Sequence, residues 1–162
     1  MTSKLGAGRG PGRGPASDPA WSPDGRKLAF VRLNADLGAP IYVVNPDGSG
    51  LRRLTRTLDA DPTWSPDGRK LAFVSDRDGN SEVYVMNANG SGQRNLTRNP
   101  AFEADPAWSP DGRSIAFRST RDGNPEIYVM NADGSGQRNL TRSPATEGWF
   151  AWAPGRSKQG AS

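Results

Sequence analysis

The chain has 162 residues, of which 33% are apolar, and it contains 20 glycines and 14 prolines but neither cysteine nor histidine. This composition favours short strands joined by tight turns over helices. The missing thiols and imidazoles exclude disulfides, thiolate zinc sites, cysteine nucleophiles, histidine acid–base chemistry and Ser-His-Asp triads.

The net charge of +4 comes from the two ends of the chain. Residues 1–17 and 154–162 hold five of the 21 basic residues, whereas all 17 acidic residues lie in between, so residues 18–153 carry a net charge of −1. A body with balanced charge offers no basic face to a nucleic-acid backbone. We therefore expect no nucleic-acid partner.

The first segment in chain order, residues 1–17, is rich in Gly, Pro and Arg. It lacks the apolar core of a signal peptide, and no stretch of the chain approaches the roughly 18 apolar residues of a membrane span. Such a segment buries too little apolar surface to offset its backbone entropy. We predict a disordered arm over 1–17 and a disordered tail over 154–162.

A repeat dominates the rest of the sequence. The motif Asp-Pro-x-Trp-Ser-Pro-Asp-Gly begins at Asp18, Asp61 and Asp105. Its tryptophan, with a fourth one downstream, recurs every 43 or 44 residues, at Trp21, Trp64, Trp108 and Trp152. That period is typical of the four-stranded blade of a β-propeller. It divides the body into units over 18–60, 61–104 and 105–147, with a partial unit over 148–153.

Each unit contains four predicted strands. The first ends at the tryptophan, where Ser-Pro-Asp-Gly forms a tight turn. The second strands are predicted over 27–32, 70–75 and 114–119, the third over 41–45, 82–87 and 126–131, and the outer ones over 51–55, 94–97 and 138–141. The second and third strands are apolar at nearly every position, which indicates sheets covered on both faces. The fold class is therefore all-β, a partial β-propeller of three four-stranded antiparallel blades plus the first strand of a fourth.

The repeated motif, with the later segment Asn-x-(Asp/Asn)-Gly-Ser-Gly and the ending Leu-Thr, resembles the TolB-type propeller repeat, a WD-repeat-like Pro-Asp blade. The resemblance covers residues 18–153. It implies a propeller, usually six-bladed, of a periplasmic family that binds peptidoglycan-associated lipoprotein and other envelope proteins, although this sequence shows no signal peptide. The function it favours is a non-catalytic protein-interaction scaffold. The alternative is the substrate-gating propeller of a prolyl-oligopeptidase-like hydrolase without its catalytic domain.

The units also differ from one another. Residues 33–40 depart from the loop sequence shared by 75–80 and 119–124, and the fourth unit has Trp149-Phe150 where the others have Asp-Pro. An incomplete propeller exposes the apolar faces of its end blades. We therefore predict self-association of two chains into a six-bladed ring, with the fourth-unit strand either redundant with the partner's first strand or exchanged into it. A fragment of a longer gene is the other interpretation.

Three sets of residues are candidates for binding. Asp18, Asp61 and Asp105 begin the innermost strands, where they either ring a channel mouth and attract cations or accept local backbone N–H groups. Arg77 and Arg121 recur in one loop and are candidates for binding acidic groups. Trp149 and Phe150 are candidates for an exposed or oligomer-forming patch.

Other chemistry has weaker support in the sequence. Residues 76–82 resemble a calcium loop, but Gly79 falls at the fourth position instead of the sixth and Asn87 stands where the bidentate glutamate would be, so we expect a turn there. A calcium-binding or sugar-binding propeller is a third functional alternative. Gly-Ser-Gly occurs as a hairpin turn and not as a nucleophile elbow, and no phosphate-binding glycine motif occurs. We predict no enzyme activity, no cofactor and no metal.

Overall fold

The computed structural model describes residues 14–33, 38–143 and 150–153. These residues form twelve strands in three four-stranded antiparallel sheets, and none of them lies in a helix. Within each sheet the strands lie side by side in chain order. The predicted fold class, a partial propeller built from antiparallel blades, is confirmed.

The strand bounds repeat from blade to blade. Blade 1 consists of β1 (Ala16–Trp21), β2 (Leu28–Arg32), β3 (Ile41–Val44) and β4 (Arg52–Arg53). Blade 2 consists of β5 (Asp59–Trp64), β6 (Lys70–Ser75), β7 (Glu82–Asn87) and β8 (Arg94–Asn95). Blade 3 consists of β9 (Glu103–Trp108), β10 (Ser114–Ser119), β11 (Glu126–Asn131) and β12 (Arg138–Asn139).

The inner strands begin earlier than the sequence motif. β5 and β9 start two residues before the aspartate of the motif, and β1 includes Ala16 and Ser17, which pair with Arg32 and Val31. These two residues belong to a blade and not to the predicted arm. The remainder of the arm up to residue 13, and the tail from 154, lie outside the described residues.

The outer strands are shorter than predicted because a side chain ends each ladder. The hydroxyl of Thr55 accepts the backbone N–H of Ile41 at 2.8 Å, where a strand would have supplied a carbonyl. In the same way, the hydroxyl of Thr97 accepts the N–H of Val83 in β7 and that of Thr141 accepts the N–H of Ile127 in β11, at 3.1 Å each. The ladder is therefore limited to two residues in every blade.

The Ser-Pro-Asp-Gly turn is closed by its own polar side chains. In blade 1 the carboxylate of Asp24 accepts the Ser22 hydroxyl at 2.7 Å and the Arg26 N–H at 3.0 Å. Gly25 adopts a φ of +69°, which favours glycine, and donates its N–H to the carbonyl of Ser22. The same bonds recur in the other two blades, so this turn follows directly from the local sequence.

Blades stack through two different faces. We call the face that meets the preceding blade the leading face; in blade 2 it consists of Trp64, Leu71, Phe73, Tyr84 and Met86. The trailing face meets the following blade and is built from smaller side chains; in blade 1 it consists of Ala29, Val31, Ile41 and Val43. The interface between blades 2 and 3 repeats this combination. In each interface, large rings of one blade therefore pack against small aliphatic side chains of the other.

The tryptophans join blades, with one exception. Trp64 is buried, and its indole N–H donates to the carbonyl of Ala20 in blade 1 at 3.0 Å. Trp108 is also buried between blades, although its indole N–H has no partner among the described residues. Trp21 is the exception among these three: it is 56% exposed, because no described blade precedes it.

Candidate functional site at the inner edge of the blades

The inner strands bring three aspartates to equivalent places. Asp18, Asp61 and Asp105 have φ values of +51°, +49° and +53°, a left-handed conformation that Asp tolerates better than most residues. The antiparallel register slips around each of them, which marks a β-bulge. A bulge usually leaves backbone N–H groups unpaired. Here the residue after each aspartate is proline, which has no N–H, so there is one fewer unpaired donor.

The surroundings of Asp61 disfavour its negative charge. Burial raises the pKa of the Asp61 carboxyl, and the negative charges of Asp105 and Asp18 raise it further. The backbone N–H of Asp105 and the guanidinium of Arg118 act in the opposite direction. The inner edge of the blades is thus an acidic strip, which we call the acidic axis, centred on Asp61.

One cation of the chain itself reaches the acidic axis. Arg118 forms an ion pair with Asp105 at 2.9 Å. It stands on β10 where blades 1 and 2 have Val31 and Val74. Sequence reasoning missed this residue, although the change from valine to arginine in an otherwise repeated strand was the available signal.

A groove opens beside Asp61 between blades 2 and 3. It has a volume of about 280 Å³, and its lining includes Asp61, Asp76, Leu58 and Phe102. Leu58 and Phe102 are both about half exposed, at 53% and 51%. Exposed apolar side chains beside carboxylates form a surface suited to a cationic group with an aliphatic stem.

Arg77 has partners within its own blade. Its guanidinium lies over the rings of Tyr84 and Phe73, at 4.6 and 5.5 Å from the ring centroids. It also donates to the carboxylate of Asp59 at 3.3 Å and to the side-chain oxygen of Gln93 at 2.6 Å. The acid-binding role predicted for this residue stays a prediction, and its observed contacts are structural.

Arg121 repeats this arrangement in blade 3. It stacks on Tyr128 and Phe117, at 4.5 and 5.5 Å, and forms an ion pair with the buried carboxylate of Glu103. Burial raises the pKa of Glu103, and the hydrogen bond from Arg121 lowers it in part. One carboxylate oxygen of Glu103 has no hydrogen-bond partner among the described residues. Sequence reasoning missed both acidic partners, Asp59 and Glu103.

The fourth unit is described only over 150–153. Trp149 lies outside the described residues, and Phe150 is half-buried. The indole N–H of Trp152 donates to the carbonyl of Ala107 at 3.0 Å. This bond matches the one from Trp64 to Ala20, so Trp152 occupies the place of an inner-strand tryptophan on blade 3.

Neither a metal site nor a membrane-spanning helix is found in the described part of the chain. Within residues 14–33, 38–143 and 150–153, no three His, Cys, Asp or Glu side chains are arranged to hold a metal ion. The same residues include no helix of the length and apolarity needed to cross a membrane.

Comparison with known proteins gives a consistent family. The profile of the TolB beta propeller domain matches residues 9–97 and, in an overlapping second match, residues 58–157. A TolB structure from Acinetobacter baumannii is 29% identical, with a TM-score of 0.71 over 80% of this chain and 33% of its own. One from Agrobacterium tumefaciens is 25% identical, with a TM-score of 0.71 over 77% of this chain and 48% of its own. The chain thus spans half or less of these relatives.

A more distant structure shares the fold alone. A puromycin hydrolase is 20% identical, with a TM-score of 0.68 over 85% of this chain and 23% of its own. No curated protein sequence matches the chain.

Proposed function

The chain belongs to the TolB β-propeller family, and from that premise we propose that it is a non-catalytic module that binds a basic segment of a protein partner. The observation that carries the proposal is the acidic axis. Its three aspartates stand at equivalent places in the three blades, and the central one, Asp61, is half-buried. As the family resemblance implies, we take the partner to be a cell-envelope protein and the compartment to be the periplasm.

The charges of the acidic axis support a cationic ligand. Arg118 pairs with Asp105, whereas Asp18 and Asp61 have no ion-pair partner within the described residues. A lysine or arginine side chain placed beside Asp61 would stabilise its ionised carboxylate, whose pKa is raised by burial and by the neighbouring aspartates. Its aliphatic stem would lie against Leu58 and Phe102 at the edge of the groove.

Binding of a hexalysine peptide, followed by calorimetry, tests this proposal. We expect Asp61→Asn to weaken binding about tenfold, since a hydrogen bond to a charged group contributes about 1.5–3 kcal/mol. Asparagine tolerates the left-handed conformation of Asp61, so the backbone is retained.

The matched control is Asp133→Asn, which removes one negative charge from an exposed turn. Blade 2 has Asn89 at this position and makes the same bonds to its serine, so the substitution preserves the turn. Equal weakening by both variants, or equal binding of hexaglutamate, would overturn the proposal.

The substrate-gating propeller of a hydrolase is the second candidate. The fold likeness to a puromycin hydrolase favours it over other enzymes, although at 20% identity that likeness concerns the fold. A hydrolase domain with Ser, Asp and His encoded in the same reading frame would replace the first proposal by this one.

We also propose that the chain self-associates through the leading face of blade 1. A groove of about 380 Å³ on this face includes Pro19, Leu28, Phe30 and Val44, and Trp21 is exposed beside it. In blades 2 and 3 the equivalent face is covered by a preceding blade. Light scattering tests this proposal: a dimer has twice the chain mass of 17.3 kDa, and a well-folded monomer would contradict it.

A further inference from the structure

We infer that two copies of this chain join by strand replacement: residues 150–153 of one copy take the place of β1 in blade 1 of the other. The inference rests on the proposed self-association and specifies its mode. Two chains joined twice in this way form a ring of six blades.

The replacing segment already lies where an inner strand belongs. Trp152 donates to the carbonyl of Ala107 at 3.0 Å, as Trp64 donates to the carbonyl of Ala20 at 3.0 Å. The segment 150–153 therefore sits on blade 3 as the inner strand of a following blade would. None of the described strands pairs with it. Within the described part of the chain, its backbone edge therefore stays open to a second strand.

The strand to be replaced, β1, is the least buried of the three inner strands. Five of the six residues of β1 are exposed, whereas no residue of β5 or β9 is. Trp21 is 56% exposed, compared with 9% for Trp64. Releasing β1 from β2 therefore costs little buried apolar surface, and its pairing is regained when another strand takes its place.

The surfaces that would meet resemble the two interfaces inside the chain, except that Arg118 stands where Val31 and Val74 do. The leading face of blade 1 presents Leu28, Phe30 and Tyr42 next to one another on β2 and β3. On the trailing face of blade 3, Ala116, Ile127 and Val129 hold the places of Ala29, Ile41 and Val43 in blade 1, and all three are buried. Rings meet small aliphatic side chains, as they do between blades 1 and 2.

The sequence alignment sets the register of the new pairing. In the present chain Ala20 lies opposite Ala29, and Trp21 lies opposite Leu28. Ala151 and Trp152 are equivalent to Ala20 and Trp21, so Ala151 of one copy lies opposite Ala29 of the other. Phe150 takes the place of Pro19. Each junction thereby loses Asp18 from the acidic axis, which is then formed by Asp61 and Asp105 of both copies.

Paired cysteines test the register directly, because the natural chain has none. Opposite residues in antiparallel strands have Cα atoms about 4.5–5.5 Å apart, within the range that a disulfide spans. We expect Ala29→Cys combined with Ala151→Cys to give a disulfide-linked dimer on oxidation. The matched control, Ala20→Cys combined with Ala29→Cys, would form a disulfide within one chain if β1 stayed in place, and we expect it to keep free thiols.

The outcomes separate the mode of joining from self-association itself. If the control closes within the chain and the first pair does not link two chains, strand replacement is overturned. A dimer mass would then leave the proposed self-association standing, whereas a monomer mass would overturn both.

Tryptophan variants keep the inference testable if a cysteine at the buried position 29 prevents folding. We expect Trp152→Ala to raise the dissociation constant of the dimer at least about tenfold, as for an aromatic residue at the centre of an interface. Trp21→Ala should leave it unchanged, because β1 is displaced. The opposite pattern, weakening by Trp21→Ala alone, would indicate stacking of intact blades and overturn strand replacement.

Discussion

Blades 1 and 2 share the sequence of their second strand and the tryptophan of their first, but in different surroundings. Both carry Leu-Ala-Phe-Val in the second strand and tryptophan at the end of the first. Blade 2 is covered by a neighbouring blade on both faces, whereas no described blade covers the leading face of blade 1, and the exposure of the tryptophan changes from 9% to 56%. The stability of a blade therefore resides in its interfaces with its neighbours, as expected for repeat proteins.

In both blades an arginine lies over the Phe–Tyr pair, but it comes from a different position of the repeat. In blade 2, Arg77 lies over Phe73 and Tyr84 and pairs with Asp59. In blade 1, Arg32 lies over the equivalent rings at 5.0 and 5.4 Å, although it comes from a different position of the chain. Ala16 stands where Asp59 would be. The stacking of arginine on the aromatic pair is thus common to all blades, and the ion pair is an addition.

Substitution of the two tryptophans should give the largest difference in the free energy of unfolding. Trp64→Ala should lower the free energy of unfolding by about 3–5 kcal/mol, because it leaves a cavity in the interface between blades 1 and 2. Trp21→Ala should cost less than about 1 kcal/mol, as for an exposed residue. Urea unfolding of both variants measures the difference, and similar losses would contradict the unequal roles of the two faces.

The second comparison concerns the two arginines. Arg77→Gln should cost about 2–3 kcal/mol, because it leaves the buried carboxylate of Asp59 with the Thr57 hydroxyl but no cation. Arg32→Gln should cost less than about 1 kcal/mol, since only a cation–π contact is lost. Adding Asp59→Ala, the residue that blade 1 has there, should recover part of the first loss. A double variant less stable than Arg77→Gln would contradict this account.

Two glycines provide a matched test of the interface at a turn. Gly48 and Gly90 both have a φ of +82°, so alanine at either costs about 1–2 kcal/mol in backbone strain. A Cβ at Gly48 would contact nothing within 4 Å, whereas one at Gly90 would lie 3.1 Å from the carbonyl oxygen of Leu54 in the preceding blade. Gly90→Ala should therefore lower the melting temperature further than Gly48→Ala. Equal shifts in melting temperature would mean that blades 1 and 2 can move apart at this turn at no cost in free energy.

The smallest effect depends on pH. Because the pKa of Asp61 is raised in the folded chain, the folded state binds this proton more tightly than the unfolded state does. The resulting penalty is complete above the raised pKa and disappears as the pH falls below the unfolded value. Asp61→Asn should thus be more stable than the natural chain at pH 7, by less than about 1 kcal/mol, and equal to it in acid.

Asp18→Asn, in the exposed strand β1, is the control for this experiment. It should change the unfolding free energy less than Asp61→Asn does at pH 7, because β1 is not covered by a preceding blade. A gain from Asp61→Asn that grows as the pH falls would contradict the assignment.

The sequence alone predicts the structural features that are determined by residues close together in the chain. The Ser-Pro-Asp-Gly turns and the bounds of β6, β7, β10 and β11 agree with the predicted ones, because turn chemistry and apolar runs determine them. The ion pair of Arg77 with Asp59 joins residues 18 positions apart and requires the register of two strands. The left-handed φ of Asp61 likewise depends on a bulge, which no local pattern indicated.

The direction of the tryptophan bonds bears on how the protein is made. Trp64 and Trp152 each reach back to a carbonyl of the blade synthesised before their own. A chain leaving the ribosome at about 5–20 residues per second therefore presents each new blade to a docking surface that is already complete. Assembly can proceed from the N-terminus one blade at a time, without waiting for the end of translation.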